Sequence, residues 1–389
     1  DGSTVWDRFN NPMPNGTNLQ PLTGGTSSTS QGAQIIPVPD SAGKYYIFSL
    51  TGDPNVLGYT NVGRLYYSIV DMTANGGSGD VVSGRKAILM ATGLCEQMIA
   101  IAGPECDFWL LVNSQRDSIR AYNINRNGIN APVLSPILNG LSNYYNGLLG
   151  NIDVSDDGSR LAIARGTLSV YDFDKNTGLC TNMQQLSNVA GTAFYDVAFS
   201  PDKTKLYATQ GNGIVGLYQY DLALSNTRTQ LATVSAYGIK RAPDDKLYLL
   251  GYNSNRVHAI EQPDISGVGC QFTQNVLTLT TGATGRSKFS NRTPVISMPD
   301  DTTYSSGTIV PGCTDVSYPV LGALDTNGRD YLWSDGSNGK RLAISADGIY
   351  TVQYLVGCVV HVDSFYVVPL FEESFDLGPD TTICDLAYT

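Results

Sequence analysis

One short pattern recurs along this chain at a spacing that few folds accommodate: a Pro or Ser, an Asp and a Gly or Lys, followed at once by an apolar run. It stands as Ser155-Asp156-Asp157-Gly158 before Leu161-Ala162-Ile163-Ala164, and as Ser200-Pro201-Asp202-Lys203 before Leu206-Tyr207-Ala208. A third copy is Ala242-Pro243-Asp244-Asp245 before Leu247-Tyr248-Leu249, which sets the leucines 45 and then 41 residues apart. Asp, Pro and Gly set up tight turns, and a short apolar run bounded by turn residues reads as a buried strand. A second strand closing on an acidic residue follows each copy: Val170-Tyr171-Asp172, Gln219-Tyr220-Asp221 and Ala259-Ile260-Glu261. A hairpin repeated every ~40 to 50 residues, with four strands per unit, is the mark of a β-propeller.

Looser copies extend the pattern towards the N-terminus. Pro39-Asp40-Ser41-Ala42-Gly43 precedes Tyr45-Tyr46-Ile47-Phe48, and Gly103-Pro104-Glu105 precedes Phe108-Trp109-Leu110-Leu111. The reading places blades near 33–85, 86–140, 148–187, 194–234 and 237–280. Thr4-Val5-Trp6-Asp7 reads as the outer half of a further blade, so the chain is expected to start mid-blade. Propellers close their ring with strands from both termini, and 288–298 is the segment expected to help complete it. The expectation for 1–295 is six or seven blades, the first truncated.

After about residue 296 the pattern changes. Segments at Asp330–Trp333, Leu342–Ser345, Ile349–Leu355 and Val359–Val368 read as strands of an immunoglobulin-like β-sandwich over 296–371. Pro379-Asp380-Thr381-Thr382 repeats the opening Pro299-Asp300-Asp301-Thr302-Thr303, so 372–389 is read as the start of a second sandwich and the natural protein as longer. Composition agrees with an all-β chain: 41 Gly, 23 Tyr and only 15% charged residues. A net charge of −11 sets nucleic acid and anionic lipid aside as partners, because both need clustered Lys and Arg. No run approaches the ~20 apolar residues of a membrane span, so direct membrane insertion is not expected.

The seven cysteines form no CxxC or Cys/His cluster, which favours disulfides and an oxidising compartment over metal. Cys95 and Cys106 flank the two sides of one hairpin and are expected to bond; Cys180 and Cys270 are expected to be unpaired. The odd count predicts a partner outside this chain for at least one thiol.

Several strings resemble a known family. Asp376-Leu377-Gly378-Pro379-Asp380-Thr381-Thr382-Ile383-Cys384 and Tyr331-Leu332-Trp333-Ser334-Asp335-Gly336, the latter followed by Asp347-Gly348-Ile349-Tyr350-Thr351-Val352, are similar to tandem immunoglobulin-like or polycystic-kidney-disease-like modules of large Bacteroidota surface proteins. Asp1-Gly2-Ser3-Thr4-Val5-Trp6, Tyr67-Ser68-Ile69-Val70-Asp71-Met72 and Leu217-Tyr218-Gln219-Tyr220-Asp221 resemble the propeller at the N-terminus of the same proteins. The resemblance implies export by the type IX system, attachment at the cell surface, and a role in adhesion, gliding or an extracellular scaffold. It also implies a bond between Cys313 and Cys358 within the sandwich, leaving Cys384 for a partner further on, and O-linked glycans on Ser41 and Ser118, which stand in Asp-Ser-apolar triplets. Surface glycans, other extracellular proteins or copies of the chain itself are the partners it suggests.

Sites of chemistry are sparse. Only His258 and His361 are available as histidine bases, both at alternating strand positions where a solvent-facing side chain is expected. Gly-x-Ser-x-Gly and His-Glu-x-x-His are absent, and the expectation is a chain without enzymatic activity and without a cofactor. Asp172, Asp174 and Asn176 place oxygens at alternate positions as calcium loops do, but the Gly falls one place late and no Glu closes the loop; an Asx turn explains them equally. Asp153, Asp156 and Asp157 read as turn residues. Tyr144, Tyr145 and Tyr237 are candidate sugar-stacking rings. The rival reading is a carbohydrate-active propeller enzyme or a lectin, with carboxylates around the central channel.

Overall fold

A computed structural model describes residues 2–21, 29–41, 43–52, 63–115, 118–137, 150–187, 194–211, 215–280, 282–285, 289–291, 302–309, 318–326, 328–356 and 359–368. The chain divides into two compact units, Asp1–Ile296 and Ser297–Thr389. Both are all-β.

In the first unit the described strands form five antiparallel sheets in chain order. The first holds β1 (Ala33–Pro37), β2 (Lys44–Leu50), β3 (Arg64–Asp71), β4 (Asp80–Val81) and β5 (Ile88–Thr92). The second holds β6 (Leu94–Ala102), β7 (Phe108–Ser114), β8 (Ser118–Asn125), β9 (Gly128–Ile129) and β10 (Val133–Pro136). The third is β11 (Asn151–Val154), β12 (Arg160–Arg165), β13 (Thr167–Phe173) and β14 (Cys180–Ser187). The fourth is β15 (Phe194–Phe199), β16 (Lys205–Gln210), β17 (Leu217–Asp221) and β18 (Thr227–Ala232); the fifth is β19 (Ala236–Arg241), β20 (Leu247–Gly251), β21 (Arg256–Ile260) and β22 (Phe272–Thr278). This succession of meanders is propeller-like, and its borders follow the sequence repeat closely. The exception is β5, which was assigned to the second blade but pairs with β3 in the first sheet; Gly93, at φ 71, then turns the chain into β6.

Side-chain alternation welds each sheet to the next. On β7, Phe108, Leu110 and Val112 pack with Tyr46, Phe48 and Leu65 of the preceding sheet, while Trp109 and Leu111 pack with Ile163 and Tyr171 of the following one. Such strands are apolar on both faces, which is why Phe108-Trp109-Leu110-Leu111 reads as an unbroken run. Each such side chain withdrawn from water contributes about 1.5–3 kcal/mol. The first sheet's other face is covered by the N-terminal segment, where Met13 and Leu19 meet Ile47, Val70 and Val81. There Trp6 bridges to Pro12 and Met13 N–H donates to Val5 O at 3.0 Å, so the expected half-blade is a small hairpin laid on the first sheet.

The repeated turn has one mechanism in all three copies. Asp157 Oδ1 accepts from Ser159 N–H at 3.0 Å, Asp202 Oδ1 from Thr204 N–H at 2.9 Å and Asp244 Oδ1 from Lys246 N–H at 3.3 Å. The next residue is left-handed each time: Gly158 at φ 70, Lys203 at φ 56 and Asp245 at φ 62. A capping Asp and a left-handed neighbour are what the pattern specifies.

The expected Cys95–Cys106 bond is absent, and the buried Cys95 Sγ donates instead to Ser114 O at 3.2 Å. Pairing of β6 with β7 runs from Leu94↔Ser114 to Ala102↔Phe108, which puts Cys95 at the far end of the strand from the turn that carries Cys106. Seven strand residues at about 3.3 Å each separate it from that turn, far beyond the span of an S–S bond. Cys180 and Cys270 are free and buried as expected, and burial pushes the Cys180 thiol up to about 12.

The second unit has a four-stranded sheet ordered β23 (Thr302–Ile309), β28 (Val359–Val367), β27 (Gly348–Val356) and β25 (Arg329–Trp333), and a two-stranded sheet of β24 (Val320–Gly322) and β26 (Arg341–Ala343). Leu321 and Leu342 of the small sheet share one core with Trp333, Val352, Tyr354 and Phe365 of the large one. Asp363, 1% exposed, sits in that core and accepts from Tyr354 Oη at 2.8 Å, Leu324 N–H at 2.7 Å and Ser305 Oγ. Cys313, Cys358 and Cys384 lie outside the described residues; β27 and β28 pair as an antiparallel hairpin down to Val356↔Val359.

Candidate functional site

Inner strands bring the polar groups of the first unit together. β1, β6, β11, β15 and β19 are the first strands of their sheets, and each touches the next. Where neighbouring inner strands diverge, side chains bridge them: Asp153 Oδ2 accepts from Phe199 N–H at 3.0 Å, and Asp196 Oδ2 from Ile239 N–H at 2.9 Å. Gln31 spans further. Its Oε1 accepts from Ile152 N–H at 2.9 Å and Met98 N–H at 3.2 Å, while its Nε2 donates to Ile152 O at 2.9 Å and to Asn291 Oδ1 at 3.1 Å. Asn291 Nδ2 completes the knot by donating to Met98 O at 3.0 Å and Ala33 O at 3.2 Å.

The C-terminal ends of four inner strands then converge on a cavity of 290 Å³. Ile99 to Ala102 form one wall; Asp153, Asp156 and Asp157, Ser155 and Ser200, and Lys175, Lys240 and Arg241 supply its charge and hydroxyls. These groups are joined across sheets. Asp153 pairs with Lys240 at 3.4 Å, Arg241 with Asp156 and, at 3.7 Å, with Asp245, and Lys203 with Asp157. Burial opposes ionisation of Asp157, but the Lys203 ammonium and the Ser155 and Ser159 donors outweigh it and hold the carboxyl well below the usual range. Asp153, Asp156 and Asp157 were expected to be plain turn residues; the structure makes them the lining of a concave site.

Two residues along the chain from the lining Ser200, Asp202 belongs to a carboxyl pair. Asp202 N–H donates to Asp264 Oδ1 at 3.0 Å. Burial first, and then the neighbouring Asp202 carboxyl, raises the Asp264 pKa, while hydrogen bonds from Ser200 and Thr204 lower that of Asp202 against its own burial. Two close carboxyls pushed in opposite directions is the arrangement in which one carries a proton that the other does not. Sequence reading missed it because Asp202 and Asp264 are 62 residues apart.

Other expected sites separate. Asp174 Oδ1 accepts from Asn176 N–H at 2.9 Å and its Oδ2 from Thr177 Oγ1 at 2.7 Å, whereas Asp172 Oδ2 takes Asn182 Nδ2 at 2.8 Å. The turn uses its own oxygens, and among the described residues no group of three or more acidic, Cys or His side chains is placed to hold a metal ion. At Asp174 and Asn176 the structure shows the Asx turn. His258, expected to face solvent, is 6% exposed and accepts from Asn275 N–H at 3.1 Å, with its pKa lowered by burial. His361 is half-buried and stacks on Tyr354, centroids 5.5 Å apart. Tyr237 stands in a row of rings, 5.3 Å from Tyr195 and 4.3 Å from Tyr252; Tyr144 and Tyr145 lie outside the described residues. Ser41 and Ser118 are both part-buried, Ser118 at the start of β8 with its Oγ 3.3 Å from Ser114 Oγ.

No protein-family model matches the sequence, and no curated protein matches it. Solved structures similar in fold include a periplasmic gluconolactonase of Pseudomonas aeruginosa, 12% identical, TM-score 0.44, covering 93% of this chain and 91% of that one. A functionally unknown protein of Desulfotomaculum acetoxidans is 13% identical, TM-score 0.41, covering 70% and 77%. A putative 6-phosphogluconolactonase of Bacteroides uniformis is 13% identical, TM-score 0.39, covering 66% and 88%. These likenesses show a propeller-like fold alone. Propellers bearing enzyme names are among them, and the expectation of a chain without enzymatic activity, which rested on absent contiguous motifs alone, does not stand. The physical reason is that a propeller gathers site residues from separate blades, so a missing contiguous motif excludes no chemistry.

Proposed function

We propose that this chain is the carbohydrate-binding head, with the first stalk module, of an exported Bacteroidota surface protein acting in adhesion, gliding or an extracellular scaffold. In this reading the first unit is a propeller of six or seven blades and the second an immunoglobulin-like sandwich with a Cys313–Cys358 bond. The cavity at the ends of β6, β11, β15 and β19 carries the proposal: carboxylates, ammonium groups and hydroxyls crowd one concave surface beside the apolar wall of Ile99 and Ile101. Sugars present that mixture of hydroxyl donors, acceptors and C–H faces. The resemblance of the flanking strings to type IX-exported proteins supports the extracellular setting.

A glycan array with the purified chain tests the reading, followed by titration of the best ligand against Lys175→Gln. Binding weakened at least fivefold in the variant is expected; an array without signal sinks the proposal.

A second reading, a carbohydrate-active enzyme, is favoured by the Asp202–Asp264 pair, because acid–base chemistry uses one protonated and one ionised carboxyl. If it is right, an array ligand is cleaved over hours and Asp264→Asn abolishes cleavage while leaving binding in place. A ligand recovered intact rules it out.

A further inference from the structure

A larger concavity, of 720 Å³, lies between the first and second sheets, away from the inner strands. Its floor is aromatic: Tyr46 and Tyr122 are 7% and 5% exposed, and Tyr67 stands edge-on to Tyr46 with centroids 5.9 Å apart. One wall comes from the first sheet, with Leu89, 49% exposed, and Arg85. The other comes from the β8–β9 turn of the second sheet, with Arg126 and Asn127. Two guanidinium groups thus approach one aromatic cleft from two different sheets, on a chain whose net charge is −11. Arg126 is held by Asp40 at 3.6 Å. Arg85 is exposed and lies near enough to Tyr46 to act on its phenol.

We infer that this cleft is a second ligand site, independent of the cavity at the ends of the inner strands, and that it takes an anionic sugar. The size suits a small oligosaccharide, since ligand pockets run to roughly 300–1,000 Å³. The partly exposed Tyr67 ring can accept the apolar face of a pyranose, and guanidinium forks match a carboxylate or sulfate in a two-point contact. Carboxamides on the rim complete the set, with Asn127 beside Asn125, whose Oδ1 takes Asn127 N–H at 2.9 Å. A neutral sugar uses the floor but not the arginines, and an acidic peptide uses the arginines but not the floor.

Isothermal titration of the full chain with a trigalacturonate, a sulfated disaccharide and a neutral maltotriose tests the inference. At least one anionic sugar is expected to bind tenfold or more tightly than maltotriose, with affinity falling as salt rises. Arg85→Gln and Arg126→Gln, both on exposed side chains, are expected each to weaken that binding at least fivefold at unchanged Tm, and the stronger of the two anionic sugars names the acid group. Equal binding of maltotriose, wild-type affinity in both variants, no binding of any of the three, or a short poly-glutamate binding as tightly as the sugars would overturn it.

Discussion

Gly178 shows how tightly one position can be determined. It is left-handed at φ 76, and a Cβ there would stand 2.3 Å from the Trp109 ring, whose Nε1 donates to Lys175 O at 2.7 Å. Gly178→Ala is expected to destabilise the first unit by about 2 kcal/mol through overpacking and backbone strain combined, read as a lower urea midpoint at unchanged slope. Asp363 is the corresponding residue of the second unit. Asp363→Ala leaves the Tyr354 hydroxyl and Leu324 N–H buried without an acceptor and is expected to cost about 3 kcal/mol. Tyr354 supplies an independent readout: burial and the Asp363 carboxylate hold its phenol up to about 12, so its ultraviolet titration should move towards 10 in Asp363→Asn.

At the scale of strands and turns, the Asp turns carry the acid sensitivity. The Asp157 pKa is depressed on folding, so its contribution is present above the ordinary carboxylate value and is lost as pH falls through the folded one. Asp157→Asn should therefore flatten the acid limb of the stability curve below about pH 4. His258 adds a second limb. Its lowered pKa favours the neutral ring, so stability rises with pH through the interval below 6.5, and His258→Gln should remove that rise. The Asp turns and the strands after them were legible because their periodicity is local and strong. Asp264 was not, since its raised pKa comes from a loop meeting the turn of an adjacent sheet. Burial of His258 escaped notice for a related reason: alternation predicts which way a side chain points, but only packing between sheets says that both faces of a strand are covered. The β5 assignment failed where the chain passes from one sheet to the next with a single glycine between.

For the first unit as a whole, one amide pair links three neighbouring inner strands. Gln31 and Asn291 are 260 residues apart and together fasten β1, β6 and β11. Asn291→Ala is expected to raise amide hydrogen exchange in β1 and β6 more than in β16 or β17, a graded loosening that starts at the seam. Uniform exchange across the five sheets would contradict it. The second unit is built for a different demand. Its strands β23 and β28, the first and last of its described strands, run parallel through eight register pairs, Thr302↔Val360 to Ile309↔Val367. Tension entering at Thr302 and leaving at Val367 draws these strands past one another lengthwise, so their ladder resists as one body in shear instead of unzipping bond by bond. Such a module should rupture under force in a single tall event, the signature of a mechanical fuse.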